Sequence, residues 1–205
     1  MKLIDITRPL FTGMPHWPGD RDTDFDFTAR IDQGSSGNVG HLSLSVHNGT
    51  HVDAPYHYDD AGQSIAEIDP AVYVGPCLVV DARGRETFTT ELFAGLDLTP
   101  TPRVLFRTDT WIDGQQFPQT WPLLDPELPA WLAERGVQLV GMDVPSVDPL
   151  TSKTMANHHR LKAAQILIME SLDLRDVVPG IYELIALPLK IRGADGSPVR
   201  AVLRS

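Results

Sequence analysis

The stretch VGHLSLSVHNGTHVDAPYH, residues 39–57, decides between helix and sheet for the part of the chain richest in histidine. His47 and His51 have the HxxxH spacing that would set two imidazoles on one face of a helix. The residues around them oppose a helix. Asn48 and Gly49 are poor helix formers, Val52 is β-branched, and Pro55 lacks an amide proton and disfavours helical backbone at Ala54. Upstream, Leu42, Leu44 and Val46 alternate with His41, Ser43, Ser45 and His47, the period of two expected of a half-buried strand. The stretch therefore reads as a strand over 39–47 ending with His47 on its polar face. A sharp turn at Asn48-Gly49 follows, then an extended return on which His51 and Asp53 point the same way. Three side chains of the kind that bind metals converge without a helix.

Working outward, short apolar runs read as strands at 3–6, 76–82, 103–108, 137–143, 165–170 and 182–191. Helical pattern is sparser: DPELPAWLAERG, closed by Gly136, and the segment after Asn157. The 205 residues hold no repeat, low-complexity tract or linker, so the expectation is one strand-rich α/β domain over residues 1–205. GSSGN at 34–38 lacks the Gly-Lys-Ser/Thr ending of a phosphate loop and reads as a turn.

The bulk numbers narrow the partners. Against 17 Lys and Arg stand 27 Asp and Glu, a net charge of −10 that is the wrong sign for tracking nucleic-acid phosphates. No run approaches the ~20 apolar residues of a membrane span, and the start has no secretion pattern, so a cytoplasmic protein with no membrane partner is expected. Cys77 is the only cysteine, which excludes an intrachain disulfide and a thiolate zinc cluster; its apolar neighbours point to a buried, inert thiol. Without a secretion signal, Asn48-Gly49-Thr50 carries no weight as a glycosylation acceptor.

Three of the seven histidines fall within residues 47–57 with an aspartate between them, which favours a metal site over scattered surface and cap histidines. Glu170 is the lone charge at the end of QILIM. Buried there, it would cost several kcal/mol unless paired or bound to metal; the alternative is a strand-end carboxylate reaching solvent.

HNGTHVDAPYH resembles the HxGTHxDxPxH signature of the metal-dependent cyclase family, which includes bacterial kynurenine formamidase and isatin hydrolase, and each fixed position is present. The likeness to the formamidase branch extends through IDITRPL and WPGD near the start, GMDVPSVDP at 141–149, HHRL at 158–161 and YELIALPLKI at 182–191. One departure stands after Glu170, where Ser171 occupies a position that the formamidase pattern often gives to glycine. The resemblance implies a mixed β-barrel-like fold with flanking helices, a homodimer, and a two-metal centre holding zinc. Carried over residue by residue, it implies that His47, His51 and Asp53 bind the first metal and that Asp53 bridges to a second held by His158 and Glu170. His159 remains the alternative to His158.

By the same resemblance His57 transfers protons, the alternatives being a further metal ligand or a hydrogen-bond partner of Asp53. Trp17, in a proline-rich turn, would stack on an aromatic substrate; core packing is its other reading, and the preferred one for Trp111, Trp121 and Trp131. His41 is expected to be a structural strand histidine and His16 a loop residue near the pocket mouth. The implied reaction is hydrolysis of N-formyl-L-kynurenine, a small aromatic formamide, to L-kynurenine and formate in tryptophan degradation. The rivals are a related amidase or lactonase of the isatin hydrolase kind and a catalytically silent metal-binding scaffold. A serine hydrolase is disfavoured because no G-x-S-x-G elbow occurs.

Overall fold

The computed structural model describes residues 2–112 and 114–205. In chain order its strands are β1 (Leu3–Asp5), β2 (Asp24–Ala29), β3 (Val39–Ser43), β4 (His51–Asp53), β5 (Val74–Asp81), β6 (Thr87–Phe88), β7 (Arg103–Arg107), β8 (Leu123–Leu124), β9 (Leu139–Met142), β10 (Leu167–Glu170), β11 (Gly180–Ile185), β12 (Gly196–Pro198) and β13 (Val202–Arg204). Two short helices join them, α1 (Leu128–Ala133) and α2 (Ala156–Ala163). Nine strands form one mixed sheet in the order β1-β13-β11-β5-β7-β9-β10-β4-β12, curled as a half barrel. The strand-rich α/β expectation with flanking helices is borne out.

The centre of the sheet, β5-β7-β9-β10, is parallel. Parallel strands are covered on both faces, so they read as continuous apolar runs, and successive side chains feed two different cores. Val104 and Phe106 of β7 join Val140 and Met142 of β9 on one face, where Leu128 and Leu132 of α1 and Leu161 of α2 cover them. Leu105 and Leu139 face the other side, toward Leu172, Leu184 and Leu203. Each such side chain, fully buried, contributes ~1.5–3 kcal/mol. Packing is tight where β9 crosses the second core: a Cβ at Gly141 would lie 2.5 Å from Leu105 Cδ2 and 3.0 Å from Leu172 Cδ1, so a side chain there overpacks the sheet. Cys77 is buried in the second core as expected, and burial pushes its thiol up to about 12.

Two strand expectations need correction. The strand expected over 39–47 stops at Ser43 and pairs only with β2, in a separate two-stranded hairpin. Its alternation is real, but no core lies beneath it: Val39 and Leu42 are 54% and 45% exposed. His47 consequently sits in the turn after the strand, not at its end. The run 182–191 is strand only through Ile185, which pairs with Val74 at the start of β5; beyond it Pro188 makes only an isolated bridge to Val199. No helix among the described residues is long and apolar enough to cross a membrane.

Register is what matters for the site. β4 lies between β10 and β12, with His51 opposite Glu170 and Pro198, and Asp53 opposite Ile168 and Gly196. Opposed residues share a face of a sheet, and so do residues two apart, so His51, Asp53 and Glu170 emerge together.

Candidate metal centre

The turn before β4 is built by its own small residues. The buried Asn48 side-chain amide donates to Arg21 O and Thr23 Oγ1, both at 3.0 Å, and its backbone N–H closes on Ser45 O. Gly49 takes φ +70°, and a Cβ there would meet Leu10 Cδ2 at 2.7 Å, so both backbone and space call for glycine. Thr50 Oγ1 donates to Ser171 O at 2.7 Å and accepts from Arg8 N at 2.8 Å, tying the turn to the strand end that carries Glu170. The turn thereby returns His47 toward β4, where its Nδ1 lies 3.0 Å from Asp53 Oδ1.

Hydrogen bonds also set which nitrogen each buried histidine presents. His51 Nδ1 lies 2.9 Å from Gly49 O, a carbonyl that only accepts, so Nε2 faces Asp53 Oδ1 and Glu170 Oε2 at 3.4 and 3.5 Å. His158 Nδ1 lies 2.7 Å from Asp148 Oδ2, which turns its Nε2 toward Asp53 Oδ2 at 3.4 Å and Glu170 Oε1 at 3.8 Å. Asp148 also accepts the backbone N–H groups of Asn157 and His158, holding the first turn of α2. Helix phase separates the histidine pair: His158 is buried while His159 is exposed and meets only the edge of Tyr58 among the rings of the site.

Two triads result, His47-His51-Asp53 and Asp53-His158-Glu170, each with its ligand atoms within 4.8 Å of one another and with Asp53 common to both. A cation fits them. Asp53 Oδ2 and His158 Nε2 are buried and make no hydrogen bond, which costs ~1–3 kcal/mol per group left that way. A metal between them would satisfy both, and imidazole with carboxylate is an ordinary zinc donor set. Electrostatics point the same way. Burial works against charge on these rings, yet the neighbouring carboxylates of Asp195 and Asp53 raise His47 to about 9, and those of Asp53 and Glu170 raise His51 to about 10. Asp148 and Asp53 likewise raise His158 to about 10. Despite its own burial, Asp53 is held well below the usual carboxylate range by His158, His47 and His51. The acids of this pocket favour positive charge within it.

His57 is half-buried, its ring centroid 4.0 Å from that of His47 and 5.8 Å from that of His158. It lines, with His47, His51, His158 and Glu170, a cavity of about 420 Å³. Trp17 lines the same cavity, edge-on to Phe117 at 5.8 Å and to Trp121 at 6.0 Å, and also packs on the first core. Trp111, expected only in the core, is buried but reaches the cavity as well. His16 lines it too, as expected of a loop residue near the mouth, whereas His41 sits on the exposed hairpin 3.5 Å from Asp26.

Sequence reasoning did not single out Asp148 or Asp195. Asp148 lies inside GMDVPSVDP, a segment whose resemblance to the family assigns it no role. Asp195 lies far along the chain between ordinary turn residues, where spacing carries no signal.

A family model described as putative cyclase matches residues 4–149. The chain belongs to this family. It is 42% identical over 201 residues to the kynurenine formamidase of Bacillus cereus, covering 98% of this chain and 96% of that one. It is 44% identical over 203 residues to the kynurenine formamidase of Geobacillus thermodenitrificans, at the same coverage. Among solved structures, one described as a predicted metal-dependent hydrolase from Bacillus stearothermophilus superposes with a TM-score of 0.82 at 28% identity, covering 98% of this chain and 97% of that one. Isatin hydrolase A from Labrenzia aggregata does so with a TM-score of 0.80 at 25% identity, covering 98% and 93%. The likeness to the formamidase branch thus spans nearly the whole chain, and this member of the cyclase family is a hydrolase. The silent-scaffold reading is set aside.

Proposed function

We propose that the chain is a zinc-dependent kynurenine formamidase, hydrolysing N-formyl-L-kynurenine to L-kynurenine and formate in tryptophan degradation. The observation that carries the reading is the pair of triads sharing Asp53, with Asp53 Oδ2 and His158 Nε2 buried and unpartnered between them. His47, His51 and Asp53 would hold one zinc, and Asp53, His158 and Glu170 a second. Zinc bound there supplies Lewis acidity toward the formyl oxygen and lowers the pKa of a water toward ~7.

The remaining roles belong to the chain's own groups. An anilide nitrogen leaves poorly unless it is protonated as the C–N bond breaks, so a group that can hand it a proton must stand beside it. His57 takes that role: its Nδ1 is engaged by Asp195, which leaves Nε2 to accept a proton from the attacking water and pass it to the departing nitrogen. Trp17 and Phe117 give the cavity an aromatic lining for the substrate ring. A volume of about 420 Å³ suits a small molecule of this kind. The proposal includes a cytoplasmic homodimer, whose mass light scattering would measure.

A second reading, hydrolysis of a cyclic amide or lactone, is favoured by the likeness to isatin hydrolase A at 25% identity. The 42–44% identity to formamidases over nearly the whole chain favours the first. Turnover of N-formylkynurenine and of isatin by the purified zinc-loaded protein tests both: faster cleavage of isatin would overturn the formamidase assignment.

A further inference from the structure

Asp195 lies on the loop between β11 and β12 and belongs to neither metal triad. Its Oδ2 stands 2.9 Å from His47 Nε2 and 3.2 Å from His57 Nδ1, so one oxygen serves two imidazoles. The loop is not loosely placed. Asp195 O accepts from Ala54 N at 2.9 Å, and the neighbouring Ala194 O accepts from Ile65 N at 2.9 Å. On the other side, a Cβ at Gly196 would fall 2.9 Å from both His47 Cε1 and Val52 O. Only glycine lets this strand start press so close to the His47 ring, and that approach brings the Asp195 carboxylate over the two rings.

The chemistry follows from what each group can offer. An ionised carboxylate accepts hydrogen bonds and donates none, so each ring must show Asp195 an N–H. For His47 the N–H is then at Nε2, and Nδ1 faces Asp53 within the first triad. For His57 the N–H is at Nδ1, and Nε2 carries the exchangeable valence. A neutral imidazole exists as two tautomers, and an unanchored ring can also flip; either change exchanges the nitrogen presented to the cavity.

We propose that Asp195 is a positioning residue that holds His57 as the Nδ1–H tautomer with Nε2 available to substrate, through the same oxygen that anchors His47. A ligand of the first triad and the proton-transfer residue are thereby tied to one another by one carboxylate. The catalytic consequence rests on the hydrolase reading above, in which His57 moves the proton; the tautomer assignment does not.

The test uses the full-length, zinc-loaded protein and two variants, Asp195→Ala and Asp195→Asn, each examined by ¹⁵N ring spectroscopy at fixed pH, metal analysis and steady-state kinetics. Wild type should show the His57 proton on Nδ1. In Asp195→Ala that preference should be lost and kcat should fall about 10- to 100-fold, with KM little changed, the usual effect of removing a group that orients a site histidine. Asp195→Asn keeps an acceptor oxygen and should restore the Nδ1–H form and part of kcat. In a His57→Ala background, Asp195→Ala should cost little more. An unchanged His57 tautomer in Asp195→Ala overturns the proposal. So does an equal loss of kcat with and without His57. Loss of zinc with the tautomer intact also overturns it, and would make Asp195 a ligand in a third group with His47 and His57. If wild type cleaves no formamide, the function proposed above fails while the ring spectra still decide the tautomer.

Discussion

Asp148→Ala isolates a residue that carries two loads at once. Its carboxylate accepts from Asn157 N at 3.0 Å and His158 N at 3.2 Å, and it holds His158 Nδ1 at 2.7 Å, all in a buried setting. Losing a side chain that caps a first helical turn costs ~1 kcal/mol. Leaving the buried His158 N–H without a partner adds ~1–3 kcal/mol. Together the metal-stripped protein should lose about 2–4 kcal/mol of stability, read from urea denaturation in the presence of chelator. The second effect is on metal. With His158 no longer aimed at Asp53 and Glu170, zinc affinity at that triad should drop about 10- to 100-fold while the His47 triad is spared. Competition titration against a chromophoric chelator resolves the two sites. Stability and both affinities at wild-type values would refute the claim that Asp148 holds α2 and aims His158.

Other outcomes follow from the same geometry. His51→Ala should abolish activity and weaken metal binding together, and elemental analysis of zinc-reconstituted wild type should find two equivalents per chain; fewer than one would sink the two-metal reading. His57→Ala should keep its zinc and lose on the order of 10² to 10⁴ in kcat, the usual worth of general acid–base catalysis, so zinc loss there would instead make it a ligand. Trp17→Ala should lower kcat/KM severalfold for aryl formamides, since ring stacking contributes ~0.5–1.5 kcal/mol, and should leave a non-aromatic formamide nearly indifferent; an unfolded variant would assign Trp17 to the core alone. In the metal-stripped protein, His47, His51 and His158 are raised from 6.5 to about 9, about 10 and about 10. The folded state therefore favours their charged forms, and that stability is fully present below 6.5 and fades as pH rises through 9 to 10. Denaturation midpoints measured with chelator across that window should fall, and a flat profile would contradict the acid-rich site.

Much of this protein is legible in one dimension because the deciding interactions are local. The strands at 76–82, 103–108, 137–143 and 165–170 announce themselves since β5, β7, β9 and β10 are parallel and buried on both faces, which demands unbroken apolar runs. His47, His51 and Asp53 fall within seven residues, and Gly49 marks the turn that folds the first back on the others. What tertiary structure alone decides is which neighbours those residues acquire. Period-two alternation in β3 promised burial, but burial depends on what lies beneath a strand, and beneath this hairpin there is no core. His158 rather than His159 lies beside Asp53 and Glu170 because α2 packs with one side of its turn against β10, a phase that adjacent identical residues cannot reveal. Glu170 meets His51 through antiparallel register, and Asp148 and Asp195 reach histidines 10 and 148 positions away, the latter by the placement of β12 beside β4. Residue types record which chemistry a segment can perform; the pairing of strands distant in the chain, which no local propensity encodes, sets which atom of each side chain faces the others of the cluster.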